Sequence, residues 1–219
     1  MSGRSYAQYC PVAEALDILG ERWTLLILRE LLVVGDLRFT DLRHALPGLA
    51  PNLLSERLRQ LESHGLVERK ELPPPAARTV YAATELGRQV RPVLRALARF
   101  GAGRLPPPDP ATPVRPAMAV HGSLIVWHRA AASRGVSQHY RLVLDGEQFD
   151  FAVDDGRLYR AGPDGPADLV VRGSAGALVA ARQGGRGLAA AVEAGELVVE
   201  GPAAVLERFE QVFALAPPG

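Results

Sequence analysis

Cysteine, lysine and long apolar runs are scarce in this sequence of 219 residues. Its single cysteine, Cys10, excludes a disulfide bond within the chain. No apolar run reaches the ~18 residues that a membrane-spanning helix requires, and the first residues lack the pattern of a secretory signal peptide. We therefore expect a cytoplasmic protein that has no membrane partner.

The residue patterns of enzyme chemistry are also missing. The sequence has no phosphate-binding glycine loop and no recognisable pair of nucleophile and base. His121, His128 and His139 lie near one another, but no carboxylate or cysteine falls at metal-ligand spacing with them. We therefore expect no enzymatic activity, no metal site and no cofactor.

Charge is unevenly distributed along the chain, although the formal net charge is only +1. Residues 1–104 carry 15 Lys and Arg against 11 Asp and Glu, a net of +4, whereas residues 105–219 carry 10 against 13, a net of −3. Six prolines between positions 106 and 116 stiffen the chain toward an extended form. We predict a basic domain at 1–104, a linker at 105–116 and a second domain at 117–219, and the basic half is the one suited to phosphate.

The segment from Pro51 to Gly65 is the most informative part of the basic half. Pro51 suits the first position of a helix, and Gly65 suits the position just past its end. At 100° per residue, one narrow apolar stripe is formed by Leu54, Leu58 and Leu61. The other faces carry side chains that can bond base edges and phosphates, namely Asn52, Ser55, Glu56, Arg57, Arg59 and Gln60. This composition favours a DNA recognition helix over an ordinary amphipathic helix.

A β-hairpin pattern follows, with strands predicted from Leu66 to Leu72 and from Arg78 to Ala83, joined through three prolines. Its basic side chains, Arg69, Lys70 and Arg78, are predicted to contact phosphates or the minor groove, with solvated surface as the alternative. Short helices, a tight turn, a polar-faced helix and a basic hairpin together describe a winged helix-turn-helix domain.

One further helix is predicted after Thr84, which suits the N-cap position. Pro92 lies inside its pattern and predicts a kink. The apolar positions that we expect to face inward are Leu86, Val90, Val93, Leu94, Leu97 and Phe100.

A series of motifs between residues 9 and 100 resembles the HxlR-type bacterial transcriptional regulators. The motifs are Tyr9-Cys10-Pro11-Val12, the run from Leu19 to Leu31, the run from Arg38 to Leu42, the run from Leu53 to Leu58 and the run from Tyr81 to Gly87. The resemblance implies a homodimer built from the first and last helices of the domain, with the helix after Pro51 in the major groove. We expect such a homodimer to bind a pseudo-palindromic operator in double-stranded DNA. Ala50 departs from the family pattern, because members often have a capping Ser or Thr there.

Cys10 falls at the cysteine through which some HxlR-type members sense oxidants or electrophiles. A lone thiol in a reducing cytosol is otherwise usually a small buried hydrophobe. Reactivity requires a lowered pKa and access to solvent, and the sequence shows neither. A thiol-based sensor that works through Cys10 is therefore an alternative function.

The acidic half predicts an α/β domain. A hairpin with an Asp145-Gly146 turn is expected between residues 140 and 153. A second tight turn is expected at Asp155-Gly156. Further strands are expected at 168–172 and 196–201, and helices at 175–183, at 188–193 and after Pro202.

This half resembles the sterol-carrier-protein-2-like fold through two runs, Ala167 to Val171 and Ala189 to Gly201. The chain as a whole then belongs to the α+β class, with an N-terminal winged helix-turn-helix followed by a small α/β sterol-carrier-like domain. The resemblance implies an apolar tunnel for a hydrophobic small-molecule effector. Candidate lining residues are Trp127, Tyr140, Phe149, Phe151, Leu178, Leu188, Leu197 and Phe209. The alternatives are that these residues simply fill the core, or that the protein is a carrier or accessory binding protein.

Overall fold

The computed structural model describes residues 5–74, 77–102, 104–105, 114–183 and 186–215. The chain divides into two compact units, Met1–Ala96 and Leu97–Gly219, and each has its own hydrophobic core. Most of the predicted linker at 105–116 lies outside the described residues, as does Pro75 of the predicted hairpin connection. The domain limits drawn from the sequence therefore stay a prediction.

The first unit contains the winged helix-turn-helix that the sequence predicts. Its hairpin pairs Val67 with Ala83 and Leu72 with Arg78, and Leu37 adds a bridge to Tyr81 beside the second strand. The elements in chain order are α1 Pro11–Leu19, α2 Thr24–Val33, α3 Phe39–Ala45, α4 Pro51–Ser63, β1 Val67–Leu72, β2 Arg78–Ala83, α5 Glu85–Arg88 and α6 Arg91–Ala102.

The leucine stripe of α4 lies in the core of this unit, as predicted. Leu54, Leu58 and Leu61 are at most 1 % exposed and belong to one cluster with Ile27 and Leu28 of α2. Burying each such side chain contributes about 1.5–3 kcal/mol. The stripe therefore fixes which face of α4 points outward.

The base of the hairpin is joined to α5 by two close contacts. The Thr84 hydroxyl donates to the Gly65 carbonyl at 2.6 Å and accepts from the Gly87 amide at 3.0 Å, which confirms Thr84 as an N-cap. A Cβ atom at Gly87 would collide with the Leu66 carbonyl oxygen. The Thr84 side chain and this close backbone approach thus hold together the chain after α4, the start of the hairpin and α5.

The last helix of the first domain differs from the prediction. It is interrupted after Arg88, and Pro92 lies in the first turn of α6, where its missing amide hydrogen costs nothing. Val90 is buried and Leu94 is half-buried, as expected. The other positions predicted to face inward are 44–65 % exposed, namely Leu86, Val93, Leu97 and Phe100. The amphipathic pattern is real, but its apolar face is not covered by the described part of its own chain.

The second unit is a five-stranded sheet with helices, in agreement with the predicted α/β pattern. The strand order is β5-β4-β3-β6-β7, with β3 and β6 parallel and the other neighbours antiparallel. Asp145 and Gly146 have φ values of 50° and 85°, as the tight turn requires. The elements are α7 Pro116–Ser123, a 3-10 turn at Ile125–Trp127, β3 Ser137–Leu144, β4 Glu147–Asp154, β5 Arg157–Arg160, β6 Leu169–Gly173, α8 Ala175–Gln183, α9 Gly187–Glu193, β7 Leu197–Glu200 and α10 Ala203–Val212.

Candidate functional site

The outer face of α4 carries an exposed polar surface directly above the leucine core. Asn52, Glu56, Arg59 and Gln60 are all exposed, as the periodicity predicts. Ser55 is half-buried, and its hydroxyl donates to the Pro51 carbonyl at 3.0 Å, so that this hydroxyl hydrogen is used within the helix. Ala50 is the N-cap and makes no side-chain cap, in line with its departure from the family pattern.

Arg57 differs from the other predicted DNA-binding residues of α4, because its side chain is mostly covered. Its side chain is only 11 % exposed, and it donates to Glu21 at 2.9 Å, to the Arg22 carbonyl at 3.4 Å and to Gln60 Oε1 at 2.6 Å. Arg57 lies 60° from Leu54 around the helix, close enough to the stripe to be covered. Its contacts fix α4 against the turn before α2 and fix the orientation of the Gln60 amide. Glu21, to which the sequence analysis assigned no individual role, is part of this support.

The basic residues of the hairpin fall into two groups. Arg69 and Arg78 are exposed, and the Arg69 guanidinium lies 5.8 Å from the centre of the Tyr81 ring. Lys70 is half-exposed, and its Nζ atom lies 3.3 Å from Glu68 and 3.6 Å from Asp36. Two neighbouring carboxylates offset the charge of Lys70, so Arg69 and Arg78 are the stronger candidates for phosphate contact.

Cys10 is the N-cap residue of α1 and is half-buried. The backbone amides of Ala13 and Val12, at the start of α1, lower the pKa of its thiol. A thiolate at a helix N-terminus is stabilised in this way, and a lowered pKa together with access favours reactivity. Neither property is visible in the sequence, because both depend on where the first turn of α1 begins.

Most of the predicted lining residues share one core cluster in the second unit. Trp127 is buried outside that cluster. Its indole N–H donates to the Gly122 carbonyl at 2.9 Å, and the Arg99 guanidinium lies 5.8 Å from its ring centre. Phe149 is half-buried and packs against the cluster. The six residues inside it are Tyr140, Phe151, Leu178, Leu188, Leu197 and Phe209.

Aromatic rings meet at the centre of this cluster. The ring centres of Tyr140, Phe151, Phe209 and Phe213 lie 4.8–6.5 Å apart. The Tyr140 hydroxyl donates to Gln138 Oε1 at 2.6 Å, and burial raises the pKa of Tyr140 to about 12. The phenol is therefore neutral at physiological pH. The four rings pack against one another at the centre of the core.

A polar network that sequence reasoning missed lies beside this core. Asp150 is buried and accepts from His139 at 3.0 Å, from Arg141 at 2.8 Å and from Gln148 at 2.7 Å. Burial raises the pKa of the Asp150 carboxyl, but these hydrogen bonds outweigh it and the pKa is lowered overall. Arg141 also donates to the carbonyls of the chain before β6. The network ties this chain segment to β3 and β4, and alternation of polar and apolar residues along β3 is the signal that points to it.

Within the described ranges, no helix is long and apolar enough to cross a membrane. The same residues contain no group of three or more His, Cys, Asp or Glu side chains arranged to hold a metal ion.

The pair α3–α4 with its hairpin defines a winged helix-turn-helix domain, a class that reads DNA with its second helix. Residues 18–108 match the model of the HxlR-like helix-turn-helix family, and the chain belongs to this family. Residues 126–214 match the model of the SCP-2 sterol transfer family. Both matches agree with the resemblances noted in the sequence.

The relatives are regulators of the helix-turn-helix type. A transcriptional regulator of Synechocystis is 41 % identical over 92 residues, which cover 42 % of this chain and 67 % of the relative. YvaP of Bacillus subtilis, also an HTH-type transcriptional regulator, is 39 % identical over 95 residues, which cover 43 % and 87 %. Among solved structures, the reduced form of YodB from B. subtilis is 32 % identical with a TM-score of 0.39, covering 47 % of this chain and 100 % of that one.

Proposed function

We propose that the protein is a sequence-specific transcriptional regulator that binds a pseudo-palindromic operator in double-stranded DNA as a cytoplasmic homodimer and has no enzymatic activity. The observation that carries the proposal is the exposed face of α4, where Asn52, Glu56 and Arg59 stand above a buried leucine stripe. Side chains of these types match the donors and acceptors of the major groove. Two copies of α4 then enter successive major grooves about one helical turn, ~10 base pairs, apart.

Base reading and backbone contact are assigned to different residues. The bases are contacted by four exposed residues of α4, namely Asn52, Glu56, Arg59 and Gln60. The phosphates are contacted by Arg69 and Arg78 of the hairpin. Arg57 supports the base-reading face through Gln60 and Glu21 and does not itself touch DNA. This division makes separate predictions for specificity and for salt dependence.

Arg59→Ala will lower affinity for the operator by about 1–3 kcal/mol and relax specificity at one base pair, because a guanine loses its bidentate partner. Arg78→Ala will weaken binding to all sequences alike and reduce the salt slope by about one unit. Fluorescence anisotropy with an operator selected from a random library, and with random DNA, measures both effects over a range of salt concentrations.

Arg88→Ala is the control for these variants, since it removes an exposed arginine of α5 that already pairs with Glu85. It should leave specificity unchanged. Equal losses on operator and random DNA for Arg59→Ala would exclude a role for Arg59 in base reading.

Homodimerisation is supported by two apolar helix faces that no described residue covers. Val12 and Leu16 on α1 are 65 % and 44 % exposed, and Val93, Leu97 and Phe100 on α6 are 44–65 % exposed. Apolar faces of this kind on helices mark protein interaction sites. A second copy of the chain would cover the same faces on both protomers at once.

The second domain is proposed to bind a hydrophobic small molecule whose occupancy alters operator affinity. The match of residues 126–214 to the SCP-2 sterol transfer family and the large apolar cluster support this role. Coupling requires that the ligand bind the free and DNA-bound forms with different affinities. A carrier or accessory binding protein would instead take up the ligand with no change in DNA binding.

Thiol-based sensing is a second candidate function, favoured by the position of Cys10 at the N-cap of α1 and by its lowered pKa. Cys10→Ser should leave folding and operator binding nearly unchanged in reducing buffer, because serine is itself a good N-cap. In the wild type, alkylation of Cys10 should reach its maximal rate at a lower pH than alkylation of free cysteine, since the thiolate forms earlier. A full response of Cys10→Ser to oxidants would end this hypothesis, because the chain has no other cysteine.

A further inference from the structure

The Gln60 amide on the outer face of α4 is held between two neighbouring side chains. Arg57 Nη1 donates to Gln60 Oε1 at 2.6 Å, and Gln60 Nε2 donates to Glu56 Oε1 at 3.3 Å. A guanidinium can only donate and an ionised carboxylate can only accept, so these two contacts allow a single orientation of the amide. Gln60 is exposed, and it presents the amide outward in this orientation.

The amide held in this way can still form two hydrogen bonds with a base. After the two contacts, its oxygen retains one lone pair and its nitrogen retains one hydrogen. In the major groove, adenine offers the complementary pair, an N6–H donor beside the N7 acceptor, whereas guanine offers two acceptors. A rotating amide could turn its nitrogen toward guanine, but a fixed amide would bring its oxygen against an acceptor. The fixed orientation therefore favours adenine over guanine.

Arg57 is itself positioned from outside the helix-turn-helix pair. Its Nη2 atom donates to Glu21 Oε2 at 2.9 Å, and its Nε atom donates to the Arg22 carbonyl at 3.4 Å. Both partners lie in the turn between α1 and α2. Trp23, the next residue of this turn, has a φ of 81°, which a bulky residue adopts only where the surrounding structure fixes it. A fixed turn therefore places the Arg57 guanidinium.

Two carboxylates lie within reach of this guanidinium. Glu21 lies 2.9 Å from Nη2, whereas Glu56 Oε1 lies 3.7 Å from Nη1, the atom that donates to Gln60. The Arg57 side chain is only 11 % exposed, so its ion pair with Glu21 is screened less than a pair in open solvent. Without Glu21, the guanidinium would turn toward Glu56, and Nη1 would leave the Gln60 oxygen. The amide could then rotate.

We propose that Glu21 is a positioning residue for base selection: through Arg57 it holds the Gln60 amide in the orientation that selects adenine at one base pair of each half-site. Glu21 itself does not touch DNA. This inference rests on the proposed function as a DNA-binding regulator and specifies the base that one of its residues recognises. Sequence preference is then set partly by the turn before α2, outside the helix that enters the groove.

The test begins with an operator that the full-length wild type selects from a random library of double-stranded DNA. Fluorescence anisotropy then compares this operator with copies in which one adenine of each half-site is replaced by guanine. At one such position the wild type should prefer adenine by about 10-fold or more, as a bidentate amide contact provides. Gln60→Ala should lose this preference and keep the preferences at the other positions.

Glu21→Ala should lose most of the same adenine preference and keep the others. Glu21 is exposed, so its thermal unfolding should match that of the wild type. Glu14→Ala is the matched control, because it removes the same charge from an exposed position on α1. It should keep the full adenine preference.

The double variant with Glu21→Ala and Gln60→Ala separates positioning from a general structural role. Because the amide is already absent, Glu21→Ala should cause no further change in base preference. The inference would be overturned by full adenine preference in Glu21→Ala, by a loss at every position, or by a further loss in the double variant. Each of these results would leave operator binding by the wild type intact. A wild type that enriches no sequence from the library would overturn the proposed function as well.

Discussion

The variant with both Val12→Asp and Leu16→Asp will be a monomer in solution and will bind the operator at least ~100-fold more weakly than the wild type. Both side chains are on the apolar face of α1 and are 65 % and 44 % exposed, so the substitutions do not disturb the core of the protomer. A pair of buried carboxylates in a symmetric interface opposes association. A monomer contacts only one half-site of the operator, and the loss of the second contact lowers the affinity by about 10²–10⁴-fold.

Light scattering after size-exclusion chromatography measures the oligomeric state, and anisotropy measures the affinity. Glu14→Ala is the matched control, because Glu14 is exposed and lies 200° from Val12 around the same helix. It should remain dimeric and bind normally. A double variant that stays dimeric would show that α1 is not part of the interface, provided that its thermal unfolding is unchanged.

Phe209→Ala will destabilise the second unit by about 3–5 kcal/mol, the range observed when a large buried ring is truncated. Phe209 is 0 % exposed, and its ring centre lies 4.8 Å from that of Phe213 and 5.0 Å from that of Tyr140. Removing it leaves a hole among rings that are fixed by α10 and by two strands, so little of the space can close.

Urea denaturation followed by tyrosine and tryptophan fluorescence measures this loss. Tyr159→Ala is the control, since this ring is 52 % exposed on the edge strand β5 and should change stability by no more than about 0.5 kcal/mol. If Phe209→Ala cost less than 1 kcal/mol, the four rings would have to be loosely packed. The proposed ligand site would then have room at the centre of the cluster.

Local patterns were sufficient to predict the elements on which recognition depends. Three of these patterns depend on only a few neighbouring residues. They are the leucine spacing of α4, the proline and glycine at its ends, and the Asp145-Gly146 turn. These features are encoded within windows of about ten residues.

Features that depend on distant partners were not predictable in the same way. Arg57 is buried because Glu21, 36 positions earlier, meets it. The apolar residues of α6 were expected in the core of their own domain, but none of them is buried. Helical periodicity indicates that one face is apolar, but it does not show whether the same chain covers that face. The lowered pKa of Cys10 depends on the direction of backbone amides, which no composition encodes.

The contacts at Thr84 and Gly87 have a consequence for the kind of DNA that this protein selects. The Thr84 hydroxyl and the close approach of Gly87 to the Leu66 carbonyl join the chain after α4, the base of the hairpin and α5, so the hairpin cannot change its angle to α4 without breaking them. In the proposed complex, the operator would therefore have to adapt its own groove width and curvature to this fixed angle. Base steps that deform at low energy will be favoured between the contacted positions, even where no side chain reaches them.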